Sequence, residues 1–133
     1  MTLLAALFVP VLMLFHLVGP IPPELGIHGN QLSPCSSPAH CSRQTWPSTD
    51  PRSSFAALKA FVADMPRTVI VEQNDGYLHA EVSSALFGFV DDLELLADPD
   101  ANSIQARSVS RLGDSDLGVN AARLNQLAAL VAS

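Results

Sequence analysis

Two alternating runs joined by a dense turn constrain this chain more than any other feature. From about Phe87 to Ala97, and again from about Ser103 to Arg111, polar and apolar side chains alternate. Between them Asp98-Pro99-Asp100-Ala101-Asn102 is rich in turn formers. Side chains on a strand point alternately to its two sides. Phe89, Asp91, Leu93 and Leu95 therefore share one face, and Val90, Asp92, Glu94 and Leu96 the other. In the second run Ile104, Ala106, Ser108 and Ser110 lie opposite Gln105, Arg107, Val109 and Arg111. Pairing the apolar faces sets the register, because a slip of one residue inverts every side chain. Arg107 and Arg111 then stand across from Asp92 and Glu94, which predicts an ordinary charge ladder on the outer, solvated face. Asp91 points to the inner face, near Ser108 and Ser110, where a carboxylate is costly unless hydrogen-bonded.

The flanking sequence supplies the rest of a domain over residues 50–133. Asp50-Pro51 is a helix start, an Asp cap before a proline in the first turn, and Pro66 stops the helix. Phe55, Leu58, Phe61, Val62 and Met65 fall on its one apolar face. Thr68 to Gln73 is β-rich, Asn74-Asp75-Gly76 turns, and Tyr77 to Ser84 alternates with Leu78, Ala80 and Val82 on one side. Tyr77, His79 and Glu81 share the other side and read as an exposed polar face. Val119 to Ala132 is a helix burying Leu124, Leu127, Ala128 and Val131. The order α-β-β-β-β-α predicts an α+β fold, a four-stranded antiparallel sheet with both helices on one face.

Ahead of this domain the composition changes twice. Met1 to Val18 is almost entirely apolar, broken only by Thr2, Pro10 and His16. As a helix it spans about 27 Å, close to the hydrocarbon core of a bilayer. It has no basic flank and no small-x-small cleavage site, and the first Lys or Arg is Arg43. The lack of any polar face argues against a buried globular helix. Residues 1–19 therefore read as a membrane anchor or uncleaved signal segment that touches lipid. The domain is expected on the exported, periplasmic side of a cell membrane, or secreted if the segment is removed. Residues 20–49, rich in Pro, Ser and Gly, read as an extended tether over the domain surface. It holds the only two cysteines, Cys35 and Cys41. A disulfide suits an exported chain, whereas a metal site with His28 or His40 has no recognised zinc spacing.

The functional candidate is the neighbourhood of Asp91 and the loop Leu112-Gly113-Asp114-Ser115-Asp116-Leu117-Gly118, which feeds the last helix. Asp91, Ser108, Ser110, Arg111, Ser115 and Asp116 are the predicted binding residues, with Asp91 the one catalytic candidate. The plainer alternative is a structural carboxylate that accepts loop N–H groups and fixes the helix entry. Other chemistry fails on inspection. There is no phosphate-binding loop, dinucleotide fingerprint or His-Glu-x-x-His helix. Asp98, Asp100 and Asn102 open like a calcium loop, but Ser103 and Val109 stand where glycine and glutamate belong. No metal and no cofactor is expected. A net charge of −6 disfavours nucleic acid as a partner.

Phe89-Val90-Asp91-Asp92-Leu93-Glu94, Arg107 through Gly113, Asp116 through Asn120, and Arg123 together resemble the signature of domain-of-unknown-function family fourteen-ninety-nine. The resemblance runs from roughly Leu32 to Leu127 and covers small proteins of bacteria and plastids. It implies a cysteine pair at the spacing of Cys35 and Cys41 and an N-terminal membrane or lipoprotein segment. It implies no activity. The chain departs from the family at Ala39-His40 and Ser42-Arg43, around the second cysteine, and at Leu95 and Asp114, where an aromatic is common. Two functions follow as expectations. One is a membrane-tethered, non-catalytic module that binds a protein partner or small ligand. The other is a small hydrolase or lyase centred on Asp91 and the Ser110–Asp116 loop, disfavoured by the little room such a domain leaves for a deep pocket.

Overall fold

Asp50 starts the first helix as its sequence predicts: its side chain accepts from the Ser53 N–H, and Pro51 opens the first turn. The structure is a computed structural model that describes residues 19–131. In chain order it holds β1 (Ile27–His28), β2 (Gln31–Leu32), β3 (Cys41–Pro47), α1 (Pro51–Ala63), β4 (Thr68–Gln73) and β5 (Tyr77–Ser83). Then come β6 (Val90–Asp98), a 3-10 turn (Pro99–Ala101), β7 (Ser103–Ser110) and α2 (Val119–Ala128). The Met1–Val18 run, and the anchor expected there, lie outside the described residues. Among the described residues no helix is long and apolar enough to cross a membrane.

The antiparallel meander forms in the expected register. Leu95 lies opposite Ala106, Leu93 opposite Ser108 and Asp91 opposite Ser110. The turn between β6 and β7 is closed by Asp98, whose carboxylate accepts from the Ala101 N–H, and by Asn102 in the left-handed region. Leu78, Ala80, Val82, Leu93, Leu95, Ile104 and Ala106 form the inner face. Phe55, Leu58 and Val62 of α1 and Leu124 and Leu127 of α2 pack on it, so both helices cover the same side. The sheet begins β6 at Val90, later than expected, because Ser84 to Phe89 closes a turn. Its Ser84 N–H bonds the Phe89 carbonyl at 2.8 Å, and Gly88 takes a positive φ.

Two expectations need correction. The main sheet has five strands in the order β3-β7-β6-β5-β4, not four. The added strand, β3, lies within the stretch read as tether and pairs along β7 from Cys41–Val109 to Pro47–Ser103. Its polar Ser-Arg-Gln-Thr core gives little local β signal. Its benefit is non-local, since it caps the otherwise open edge of β7 and ends in a proline that an edge strand tolerates. The second correction concerns the charge ladder. Arg107 does lie opposite Glu94, yet that face is not solvated: Asp92 and Glu94 are fully buried and Arg107 is 1% exposed. Tyr77 and His79, read as exposed, are buried too. The cover is the N-terminal stretch through β1 and β2, with Leu32 packed against Tyr77 and Leu96.

Candidate functional site

Asp91 reaches the helix side of the sheet, as the alternation requires, and meets α2 there. Its carboxylate pairs with the Arg123 guanidinium at 3.0 Å. Arg123 also donates to Ser108 Oγ at 2.9 Å and to Asn120 Oδ1 at 3.0 Å. The Ser108 hydroxyl donates to the same Asn120 Oδ1 at 2.7 Å. Asn120 Nδ2 in turn donates to Asp116 Oδ2 at 2.7 Å, Ser110 Oγ at 2.9 Å and the His40 carbonyl at 3.2 Å. Asn120 and Arg123 thus join Asp91, Ser108, Ser110 and Asp116 into one network.

Asp116 is the hinge of that network. Its Oδ1 accepts from the Gly118 N–H at 2.7 Å, and its own N–H donates to the Ala39 carbonyl. Burial pushes its carboxyl up, but the Asn120 and Gly118 bonds outweigh that and hold it below the ordinary aspartate value. Gly118 supplies the left-handed backbone from which α2 departs. Beside the network an open pocket of about 260 Å³ is lined by Asp91, Ser110, Ser115 and Asp116 on its polar side. Phe89, Leu112, Leu117 and Val119 line the apolar side.

Two predicted residues stand apart from this cluster. Ser115 sits on the pocket rim, where its Oγ accepts from the Leu117 N–H at 3.3 Å. Arg111 is on the opposite face and belongs to a different set of charges. Sequence reasoning gave no role to Asn120 or Arg123. The signal was available: with Leu124 and Leu127 they form an i, i+3, i+4, i+7 stripe, so the polar pair sits on the buried face of the helix.

The outer face carries the larger charged assembly. Glu94 Oε2 accepts from the Tyr77 hydroxyl at 2.6 Å and from the Gly26 N–H at 2.7 Å. Arg107 lies between Glu94, 3.5 Å away, and Glu24, 3.2 Å away. Asp92 accepts from Arg111 Nε at 2.8 Å and meets His79 Nε2 at 2.6 Å, while Arg111 also binds Glu81. Burial raises the Asp92 carboxyl, yet the Arg111 and His79 hydrogen bonds prevail and leave it below its ordinary value. The bond to Asp92 holds the Arg111 guanidinium protonated even more firmly than usual. Burial, reinforced by Glu94, pushes the Tyr77 phenol well above its free value. Gln105 closes the strip: its Oε1 accepts from the Leu32 N–H at 2.9 Å and from Arg43 at 2.7 Å.

The middle of that strip, Asp92, Glu94 and Arg107, is interior; Glu24 and Glu81 at its edges are half-buried, and Leu32, Arg43 and Gln105 line an open pocket of about 490 Å³ at the end near Asp98. Each carboxylate in the strip faces a cation or a hydroxyl, and among the described residues the one buried side-chain nitrogen there without a partner is Arg107 Nε. Among the described residues no group of three or more His, Cys, Asp and Glu is arranged to hold a metal ion. Cys35 and Cys41 form the expected disulfide, with Cα atoms 5.6 Å apart, which ties the start of β3 to the preceding loop.

A family profile described as "Protein of unknown function (DUF1499)" matches residues 28–131. No curated protein and no solved structure matches the chain.

Proposed function

The chain belongs to the DUF1499 family, and from that premise we propose that it is a non-catalytic module that binds a protein partner or small ligand. In this reading Met1–Val18 anchors it to a membrane and the folded part faces the exported side. One observation carries the non-catalytic half. The carboxylate that alternation singles out, Asp91, is held by Arg123, and both neighbouring hydroxyls are engaged with Asn120 and Arg123. A nucleophilic serine needs a base beside it. Here Asp91 Oδ2 is tied to a guanidinium, and neither serine hydroxyl donates to a carboxylate or an imidazole. The disulfide between the only two cysteines supports an oxidising, exported setting. The open pocket beside Asp91 supports small-ligand binding better than turnover, since it offers little exclusion of water.

The test is Asp91→Asn, followed by thermal unfolding. The isostere weakens the Arg123 pair, so about 1–3 kcal/mol of stability is expected to go, a fall of several degrees. The same unfolding assay, run on the wild type with anions, sugars and lipid head groups, looks for a stabilising ligand. An unchanged or raised melting temperature in the variant would contradict a structural Asp91. It would favour the hydrolase or lyase reading centred on Asp91 and the Ser110–Asp116 loop, because active-site charges are commonly kept at a cost in stability.

A further inference from the structure

The structure brings Gly19, the first described residue after the apolar N-terminal run, to the same end of the sheet as Leu117 and Leu86, the two most exposed large apolar side chains among the described residues. Gly19 is packed on the loop that follows β7. A Cβ placed there would stand 2.9 Å from Leu112 Cγ and 3.1 Å from Arg111 Cβ. The chain does not leave that point as a slack tether. Glu24 reaches Arg107, the Gly26 N–H bonds Glu94, and the Leu32 N–H bonds Gln105. If Val18 ends in the membrane, therefore, Leu112 is at the membrane surface.

The neighbouring loops are shaped for that position. The β5–β6 loop carries Leu86, 82% exposed, and Phe87, 58% exposed, with the Phe87 ring tilted against that of Phe89, centroids 5.6 Å apart. The β7–α2 loop carries Leu117, 92% exposed and held at a φ of +54°, a conformation that residues with side chains avoid. Leu112, Leu117 and Phe89 border one hollow, so the two loops form a single rim. Residues 84–89 and 112–119 contain no Lys or Arg, and they contain Asp114 and Asp116.

We propose that this rim seats the domain directly on the bilayer, with Leu86, Phe87 and Leu117 entering the acyl boundary of zwitterionic lipid. The proposal rests on the anchor reading and adds to it a fixed orientation. The sheet stands with the β5–β6 and β7–α2 loops down and the Asp98–Asn102 turn away from the membrane. Apolar side chains on loop tips enter the boundary region by a few ångströms, and with Asp114 and Asp116 in the loops set against Arg67 beside Ser83, anionic lipid adds no net attraction.

The experiment uses the full chain reconstituted in phosphatidylcholine vesicles, with and without bromine on the acyl chains. Two single variants, Phe87→Trp at the rim and Asp100→Trp at the far turn, are compared above the shared Trp46 background. Flotation on a density gradient reads anchoring, and bromine quenching reads seating. Flotation with strong loss of the emission added by Phe87→Trp, and none of that added by Asp100→Trp, is the expected result. Flotation with neither indole quenched, or with both quenched alike, overturns the seating and leaves the anchor standing. No flotation overturns both. An indole at the rim that is blue-shifted but not quenched means that a protein surface covers it, a second copy included, and this too overturns the seating. Leu117→Trp reads the same seating from the other loop should Phe87→Trp fail to fold.

Discussion

Replacing Glu94 by glutamine tests whether the charged outer face is a closed interior. Glu94 is fully buried. Its Oε2 accepts from Tyr77 and from the Gly26 N–H, and its Oε1 faces Arg107 Nη1. Glutamine keeps the shape and removes the charge. Two hydrogen bonds to a charged acceptor, each contributing about 1.5–3 kcal/mol, become neutral ones of about 0.5–1.5 kcal/mol. The amide must also turn its NH2 toward either Arg107 or the Tyr77 and Gly26 donors, so a donor faces a donor in either orientation. Complete loss of one partner of a buried pair costs about 3–5 kcal/mol. That is an upper bound here, because Arg107 keeps Glu24 at 3.2 Å. The expected loss is about 2–4 kcal/mol, which at roughly 4 °C per kcal/mol lowers the melting temperature by about 8–16 °C. Thermal unfolding followed by circular dichroism reads the shift, and amide exchange at residues 24–32 should accelerate as Gly26 loses its anchor. A melting temperature within about 2 °C of wild type would refute the reasoning. It would mean that solvent already reaches Glu94 and that the N-terminal cover is open.

Two further outcomes follow from the same structure. Reducing the Cys35–Cys41 bond releases a small loop and should lower stability by roughly 2–3 kcal/mol, read as a shift in the urea midpoint with and without reductant; thiols that titrate free in the untreated protein would contradict the bond itself. Asp92 and Asp116 are both depressed below the free aspartate value of about 3.9, so their contribution is present above that pH and is lost as pH falls through their folded values. The urea midpoint should decline on acidification below about pH 4, and Asp92→Asn should flatten the decline; equal slopes in the two proteins would count against the Asp92 network.

The legible part of the fold was the part written in short-range pattern. Alternation from Val90 to Ser110 fixed which side Asp91 takes and that Ser108 and Ser110 share that face, because side-chain direction on a strand is set by parity alone. The Asp50-Pro51 cap was readable because its chemistry is local. What stayed hidden depends on contacts far apart in the chain. Glu24 and Arg107 are 83 residues apart, as Gly26 and Glu94 are 68 apart, and no window of sequence reports that one covers the other. A charged face with opposite signs across two strands looks the same whether water or a hairpin lies above it. One clue was compositional: the strip holds arginines and no lysine, and arginine is the cation suited to buried, multidentate pairing. β3 was missed for a related reason, since an edge strand of polar residues is specified by the strand it caps and not by its own sequence.

Whether residues 19–32 seal that face decides if the charges belong to the fold or to a site, and the single tyrosine of the chain reports on it. Tyr77 lies beneath the cover and donates to Glu94, and its phenol is held neutral well beyond the free value. A raised folded value means that this contribution is whole below about pH 10 and is lost as pH rises past it. The measurement is absorbance at the tyrosinate band during alkaline titration, with circular dichroism recorded alongside. A sealed face predicts no ionisation near pH 10 while the fold persists, and a step that appears together with unfolding or in urea. A reversible step near pH 10 in the folded protein would contradict it, and would return Asp92, Glu94, Arg107 and Arg111 to the list of groups that a ligand can reach.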